Sequence, residues 1–299
     1  MQSSLRRIAL VSVLAALAAL TARADEPGLT FLGWSDQHVT VGGDASHLVP
    51  AIGAMNAIEG TAYPAGIGGK VERPAFVFGC GDITEWPTNA AKGAYNQAIT
   101  KQLKIPAYDM AGNHDEGGKS PSQTLTQWII ARHGALSYTF EKGGVHFIAA
   151  FSKYNEELNN PAQAINQDAI AFIREQLAKV PKGQPAVVAL HQCLDSITNR
   201  DELVGAFGGA NVIMVLGGHY HKHVISEYRG YHFVELPSPA STTQISVIRI
   251  RADRLVASAY DYKSKAWNDD AGAKLDVAIK GPTAAGQEGD APSARKEER

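Results

Sequence analysis

The stretch Leu29-Thr30-Phe31-Leu32-Gly33-Trp34-Ser35-Asp36-Gln37-His38 sets the reading of the chain. Leu29 to Trp34 is rich in large apolar and aromatic residues and gives way to a polar cluster, the pattern of a buried strand and its exit loop. Asp36 and His38 follow that strand directly. In α/β sheets the crevice outside the carboxyl ends of strands is where sites form. The same arrangement recurs four times. Phe76 to Cys80 runs into Gly81-Asp82-Ile83-Thr84-Glu85, and a strand opened by Ile105-Pro106 runs into Gly112-Asn113-His114-Asp115. Ala186 to Leu190 is followed by His191, and Val212 to Leu216 by Gly217-Gly218-His219-Tyr220-His221. Five polar loops can therefore converge on one crevice.

Helical patterns separate these strands, which makes the chain α/β. His47 to Ile58 carries Leu48, Ile52, Met55 and Ile58 at helical spacing. Thr88 can cap a helix with Ala91, Tyr95, Ala98, Ile99 and Leu103 on one face. Ser120-Pro121 fits the N-cap and first position of a helix reaching Arg132. Ser137 to Glu141 and Val145 to Phe151 flank a Gly143-Gly144 turn and predict a hairpin. Asn166 to Lys179 predicts a helix stopped by Pro181, and Arg200 to Phe207 a shorter one. From Val224 the chain turns to β: Val224 to Tyr228, Tyr231 to Leu236, Ile245 to Arg251 and Leu255 to Tyr262. One parallel-rich sheet and one finished by antiparallel strands are expected.

The composition is that of a globular protein, with 299 residues of which 44% are hydrophobic and 19% charged. A formal net charge of -2 provides no broad basic field, which argues against dedicated nucleic-acid binding. Arg6 and Arg7, the apolar run Ile8 to Leu20 and Ala22-Arg23-Ala24 form the three parts of a secretory signal. About 13 apolar residues fall short of the roughly 20 that span a bilayer, so a signal peptide over 1-24 and an exported, periplasmic or secreted protein without a transmembrane span are expected. Residues 25-267 read as the folded domain. Residues 268-299, poor in large apolar residues, read as a disordered tail. The two cysteines, Cys80 and Cys193, permit a disulfide but fit better as buried thiols.

The loop residues Asp36, His38, Asp82, Asn113, His191, His219 and His221 offer imidazole and oxygen donors without thiolate, a set suited to Zn, Mn, Fe or Co. Seven donors exceed what one ion with an open position takes, and suit two ions sharing a carboxylate. The ordered set DxH, GDxxE, GNHD, H and GHxH, spanning Asp36 to His221, resembles the calcineurin-like metallophosphoesterase family. The resemblance implies a four-layer αββα sandwich of two mixed β-sheets flanked by helices. It implies one ion on Asp36, His38, Asp82 and His221, a second on Asp82, Asn113, His191 and His219, and a metal-bridging hydroxide attacking phosphorus in line.

His114 is then a non-ligand that faces the substrate, with Asp115 orienting its other ring nitrogen. Glu85 stands where Asp is commoner and is expected to hydrogen-bond a ligand imidazole from behind. The motif pattern is nearest to bacterial class III phosphodiesterases, with phosphodiesters or phosphomonoesters of small molecules or lipids as substrates. A non-catalytic metal-binding interaction module and a metal-dependent hydrolase of non-phosphate esters or amides are the rival readings. His223 extends GHxH and is read as a surface histidine or one behind the ligands. His47, His133, His146 and His232 are read as structural or exposed. Tyr154, Asn155, Trp86 and Tyr220 lie beside loops that can line a pocket.

Overall fold

A computed structural model describes residues 28–153, 164–193 and 197–279. The expected signal peptide, Tyr154, Asn155 and residues 280–299 lie outside the described residues. The strands are β1 (Leu29–Trp34), β2 (Val77–Gly79), β3 (Ala107–Asp109), β4 (Tyr138–Lys142), β5 (Val145–Ala149), β6 (Ala186–Ala189) and β7 (Val212–Gly217). After them come β8 (Val224–Tyr228), β9 (Tyr231–Glu235), β10 (Gln244–Ile250), β11 (Arg254–Asp261), β12 (Ala266–Trp267) and β13 (Lys274–Ala278). The helices are α1 (Leu48–Ala57), α2 (Asn89–Gln97), α3 (Thr124–His133), α4 (Gln167–Leu177) and α5 (Arg200–Gly205). A π-helical turn, Ala98–Gln102, extends α2.

Two mixed sheets form. One has the order β12-β11-β10-β1-β2-β3, with β13 also on β11, and the other the order β4-β5-β6-β7-β9-β8. The strands β1, β2 and β3 are parallel, as are β5, β6 and β7. Strand alternation builds the layers. Phe31, Phe78 and Ile248 of the first sheet meet Phe147, Val187, Met214 and Val234 of the second in one cluster. The opposite faces take the helices: Leu32, Val77 and Val247 pack with Leu48, Ile52, Tyr95 and Leu125. Ile148, Val188 and Phe233 pack with Ile170, Ile173 and Leu203. Helix, sheet, sheet and helix follow in that order, the four-layer αββα sandwich. Phe76 and Phe147 join the sheets edge to face, with ring centroids 5.4 Å apart.

The local signals explain the helix starts. Thr88 caps α2 by accepting the Ala91 N–H at 3.0 Å, and Asn166 caps α4 by accepting that of Ala169 at 2.9 Å. Two expectations are corrected. The third helix does not begin at Ser120-Pro121: Ser120 N–H donates to Gly117 O at 2.9 Å and Ser122 N–H to Glu116 O at 2.8 Å. Those bonds commit the segment to a turn, and α3 starts only at Thr124. The tail is also not wholly unstructured from 268, because Lys274–Ala278 pairs antiparallel with β11, Leu275 packing inward. Two apolar residues in alternation, Leu275 and Val277, and an open sheet edge suffice there, where composition alone had argued for disorder. Cys80 and Cys193 are both buried and unbridged.

Candidate metal centre

The carboxyl ends of β1, β2, β3, β6 and β7 deliver the polar loops to one place, at the same edge of both sheets. The loops are knitted through their backbones: Asp36 N–H donates to Gly81 O at 2.8 Å, His38 N–H to Asp82 O at 3.0 Å, and Gly218 N–H to His191 O at 2.7 Å. Among the described residues, seven other than glycine have positive φ, and five of them are Asp36, His38, Asp82, His219 and His221. Left-handed backbone costs an L-residue of order 1 kcal/mol or more, so its concentration here marks loops shaped for their side chains.

Each carboxylate is held by one oxygen and presents the other. His219 N–H donates to Asp36 Oδ2 at 2.8 Å, and His114 N–H to Asp82 Oδ1 at 2.9 Å. The free oxygens face imidazoles. Asp36 Oδ1 lies 3.4 Å from His221 Nε2 and 3.9 Å from His38 Nε2, and Asp82 Oδ2 lies 3.2 Å from His191 Nε2. Glycines make this closeness possible: a Cβ on Gly112 would fall 2.2 Å from Asp82 Oδ1, and one on Gly218 1.8 Å from Ser35 Oγ.

Two donor groups result. Asp36, His38 and His221 form one, Asp82, His191 and His219 the other, and Asp82 also groups with His38 and His114. Within each group the ligand atoms lie within 4.8 Å of one another. Asn113 Oδ1 joins the second group, 3.1 Å from His191 Nε2.

The arrangement of these donor atoms suits cations. Asp36 Oδ1 is buried with no hydrogen-bond partner. His191 Nδ1 faces the Cys80 carbonyl at 2.6 Å and must carry the proton there, which in the neutral ring turns the Nε2 lone pair on two oxygen acceptors. His38 Nε2 and His221 Nε2 confront each other at 3.2 Å. A cation among these atoms satisfies them together, and the donor set fits.

Electrostatics agree. Burial works against a charged His191, yet the Asp82 carboxylate overrides it and pushes the ring up to about 10. Burial likewise opposes the Asp82 carboxylate, and His191 more than compensates, holding Asp82 below the usual range. Burial and the neighbouring His191 charge press His219 down to about 4. The nearby Asp36 carboxylate raises His221. Burial lowers His38.

The sequence-predicted ligands all come together here. The three supporting residues behave differently from expectation. Asp115 does not orient His114: its fully buried carboxylate accepts the N–H groups of Ile83, Thr84 and Gly112 and the Thr84 hydroxyl, at 2.9–3.0 Å. Four local donors outbid one ring nitrogen, and Asp115 is a clamp between the second and third loops. Glu85 does not reach a ligand imidazole with its carboxylate, which is exposed; its backbone carbonyl accepts from His114 Nδ1 at 2.7 Å. His223 is not at the surface but buried, its Nδ1 2.6 Å from Ser246 Oγ.

His133 is structural, stacked 4.5 Å from the Tyr138 ring, and His47 binds the Gln37 carbonyl. Sequence reading missed Ser241, whose hydroxyl lies 3.0 Å from His221 Nδ1 and fixes that ring. No motif surrounds Ser241, so no signal pointed to it.

No family model matches the chain. It is 26% identical over 186 residues to the serine/threonine-protein phosphatase CPPED1 of Pongo abelii, and equally to that of Homo sapiens. Each alignment covers 54% of this chain and 58% of the relative, so the chain spans little more than half the length of the curated relatives it matches. Among solved structures, GAP50, the anchor in the inner membrane complex of Plasmodium, superposes with a TM-score of 0.60 at 15% identity. That match covers 86% of this chain and 91% of the other, and it shows the shared fold.

Proposed function

We propose that the chain is a calcineurin-like metallophosphoesterase, an exported dinuclear hydrolase of phosphomonoesters or phosphodiesters. The observation that carries the reading is the pair of donor groups, each with a carboxylate fixed by a backbone N–H and an oxygen left for a cation, and linked through Asp82, which also lies with His38.

In this proposal Asp36, His38, Asp82 and His221 hold one ion, and Asp82, Asn113, His191 and His219 the other. Cations held there would supply an activated water and neutralise charge on the phosphoryl oxygens. The protein does the rest by position. Backbone donors hold Asp36 and Asp82 in place before substrate arrives, so no reorganisation is spent on them during the reaction. His114, tied at Nδ1 to the Glu85 carbonyl, keeps Nε2 on the Asp82 side, 3.9 Å from Oδ2. From there a protonated ring gives its proton to the departing ester oxygen. The basic, apolar and small-residue pattern of residues 5–24 supports export. No helix among the described residues is long and apolar enough to cross a membrane.

The test is metal analysis of the purified protein together with hydrolysis of an aryl phosphomonoester and an aryl phosphodiester. About two equivalents of metal and turnover abolished by chelation are expected. A protein that turns over neither ester when metal-loaded is not this enzyme.

A further inference from the structure

Beside His114 lies a cavity of about 480 Å³, large enough for a small ligand group. One wall is Trp86, which is 44% exposed although large and apolar. Its ring rests on the His114 ring, with centroids 4.9 Å apart. Gly117 and Gly118, which have positive φ, also line it and present bare backbone. This turn is fixed in shape, since a Cβ on Gly117 would fall 2.3 Å from the Ser120 carbonyl oxygen. An indole and a stretch of side-chain-free backbone thus line one slot. Lys119, exposed, also lines it, and among the described residues no carboxylate does.

We infer that this slot is the leaving-group subsite and that it selects phosphoesters whose leaving group is a flat ring. The inference rests on the phosphoesterase reading for the origin of the ring, and on the geometry alone for the slot. His114 and Asn113 also line the cavity, which puts the slot on the side of the site where the departing oxygen meets the His114 proton. A ring bonded to that oxygen enters the slot beside Trp86. An aromatic pair of this kind contributes beyond its buried area. An alkyl group fills the same space without that gain. Lys119 adds attraction for an anionic ring substituent.

The test uses hydrolytically inert phosphonates and the whole, metal-loaded protein. Calorimetry should find phenylphosphonate bound about 10-fold more tightly than methylphosphonate. Trp86→Ala should reduce that ratio to about 2-fold, and Trp86→Phe should restore part of it. Equal affinities in the unmodified protein overturn the inference without any variant. So does a Trp86→Ala protein that loses affinity for both phosphonates alike, since the indole would then only support His114. The ratio of kcat/KM for phenyl over glycerol phosphate should follow the same pattern, mostly through KM. A protein that prefers the phenyl ligand but hydrolyses no ester refutes the hydrolase reading and leaves the slot standing. Hydrolysis with no ring preference does the reverse.

Discussion

His114 is held by the main chain of Glu85, its Nδ1 donating to the Glu85 carbonyl at 2.7 Å, while the Glu85 carboxylate is exposed. The anchor is therefore independent of the side chain at position 85. Glu85→Ala should change kcat by less than about 3-fold. His114→Ala, which removes the proton donor, should lower kcat by about 100-fold or more. Metal content should be unchanged in both, as measured by elemental analysis. A large kcat loss in Glu85→Ala would contradict the backbone anchor.

Asp115 carries a structural load. Replacing it with Ala orphans three backbone N–H groups and the Thr84 hydroxyl in a fully buried place. A loss of about 3 kcal/mol or more is expected, with a Tm drop on the order of 6–12 °C by calorimetry. Activity should fall with stability and metal affinity together.

Gly218 has no room for a methyl group. A Cβ there would lie 1.8 Å from Ser35 Oγ and 2.7 Å from Asp36 Oδ2. Gly218→Ala should push the loop off Asp36, costing roughly 1–3 kcal/mol in urea unfolding. It should also release the ion assigned to Asp36 before the other, which chelator titration resolves.

Asp82 belongs to the group with His191 and His219 and also lies with His38 of the other group, which makes it the proposed bridge. Asp82→Asn keeps the shape and removes the charge, so both equivalents of metal should weaken together. Retention of two tightly bound equivalents would remove Asp82 from its bridging role.

Stability should also report on His133. The ring stacks on Tyr138 and accepts the Asp109 N–H at 3.2 Å, and burial, then Arg132, pushes it down to about 4 from 6.5. Between those values the unfolded chain binds a proton that the folded ring refuses. Its contribution is thus full above pH 6.5 and lost as pH falls toward 4. Urea midpoints at pH 7, 6 and 5 should decline, and His133→Asn should make the decline shallower.

Much of the fold was legible because strand alternation and caps are local. β1 runs over the predicted Leu29–Trp34, and Thr88 and Asn166 cap the helices that follow them. Where a local signal had a competitor, it failed: the Ser120-Pro121 pair was drawn into a turn, and Lys274–Ala278 found a sheet edge that composition could not foresee.

By itself the sequence determined that seven donors stand after five strands, since residue type and strand polarity are both written in order along the chain. The tertiary structure alone decided which atoms those donors offer. It placed one oxygen of Asp36 on the His219 N–H across 183 residues, gave Asp115 to three backbone donors, and gave His114 to a carbonyl. The reason is physical. A buried polar side chain takes the partners that geometry brings closest, and backbone groups, which have no letter of their own in the sequence, are the nearest partners in loops this tightly packed.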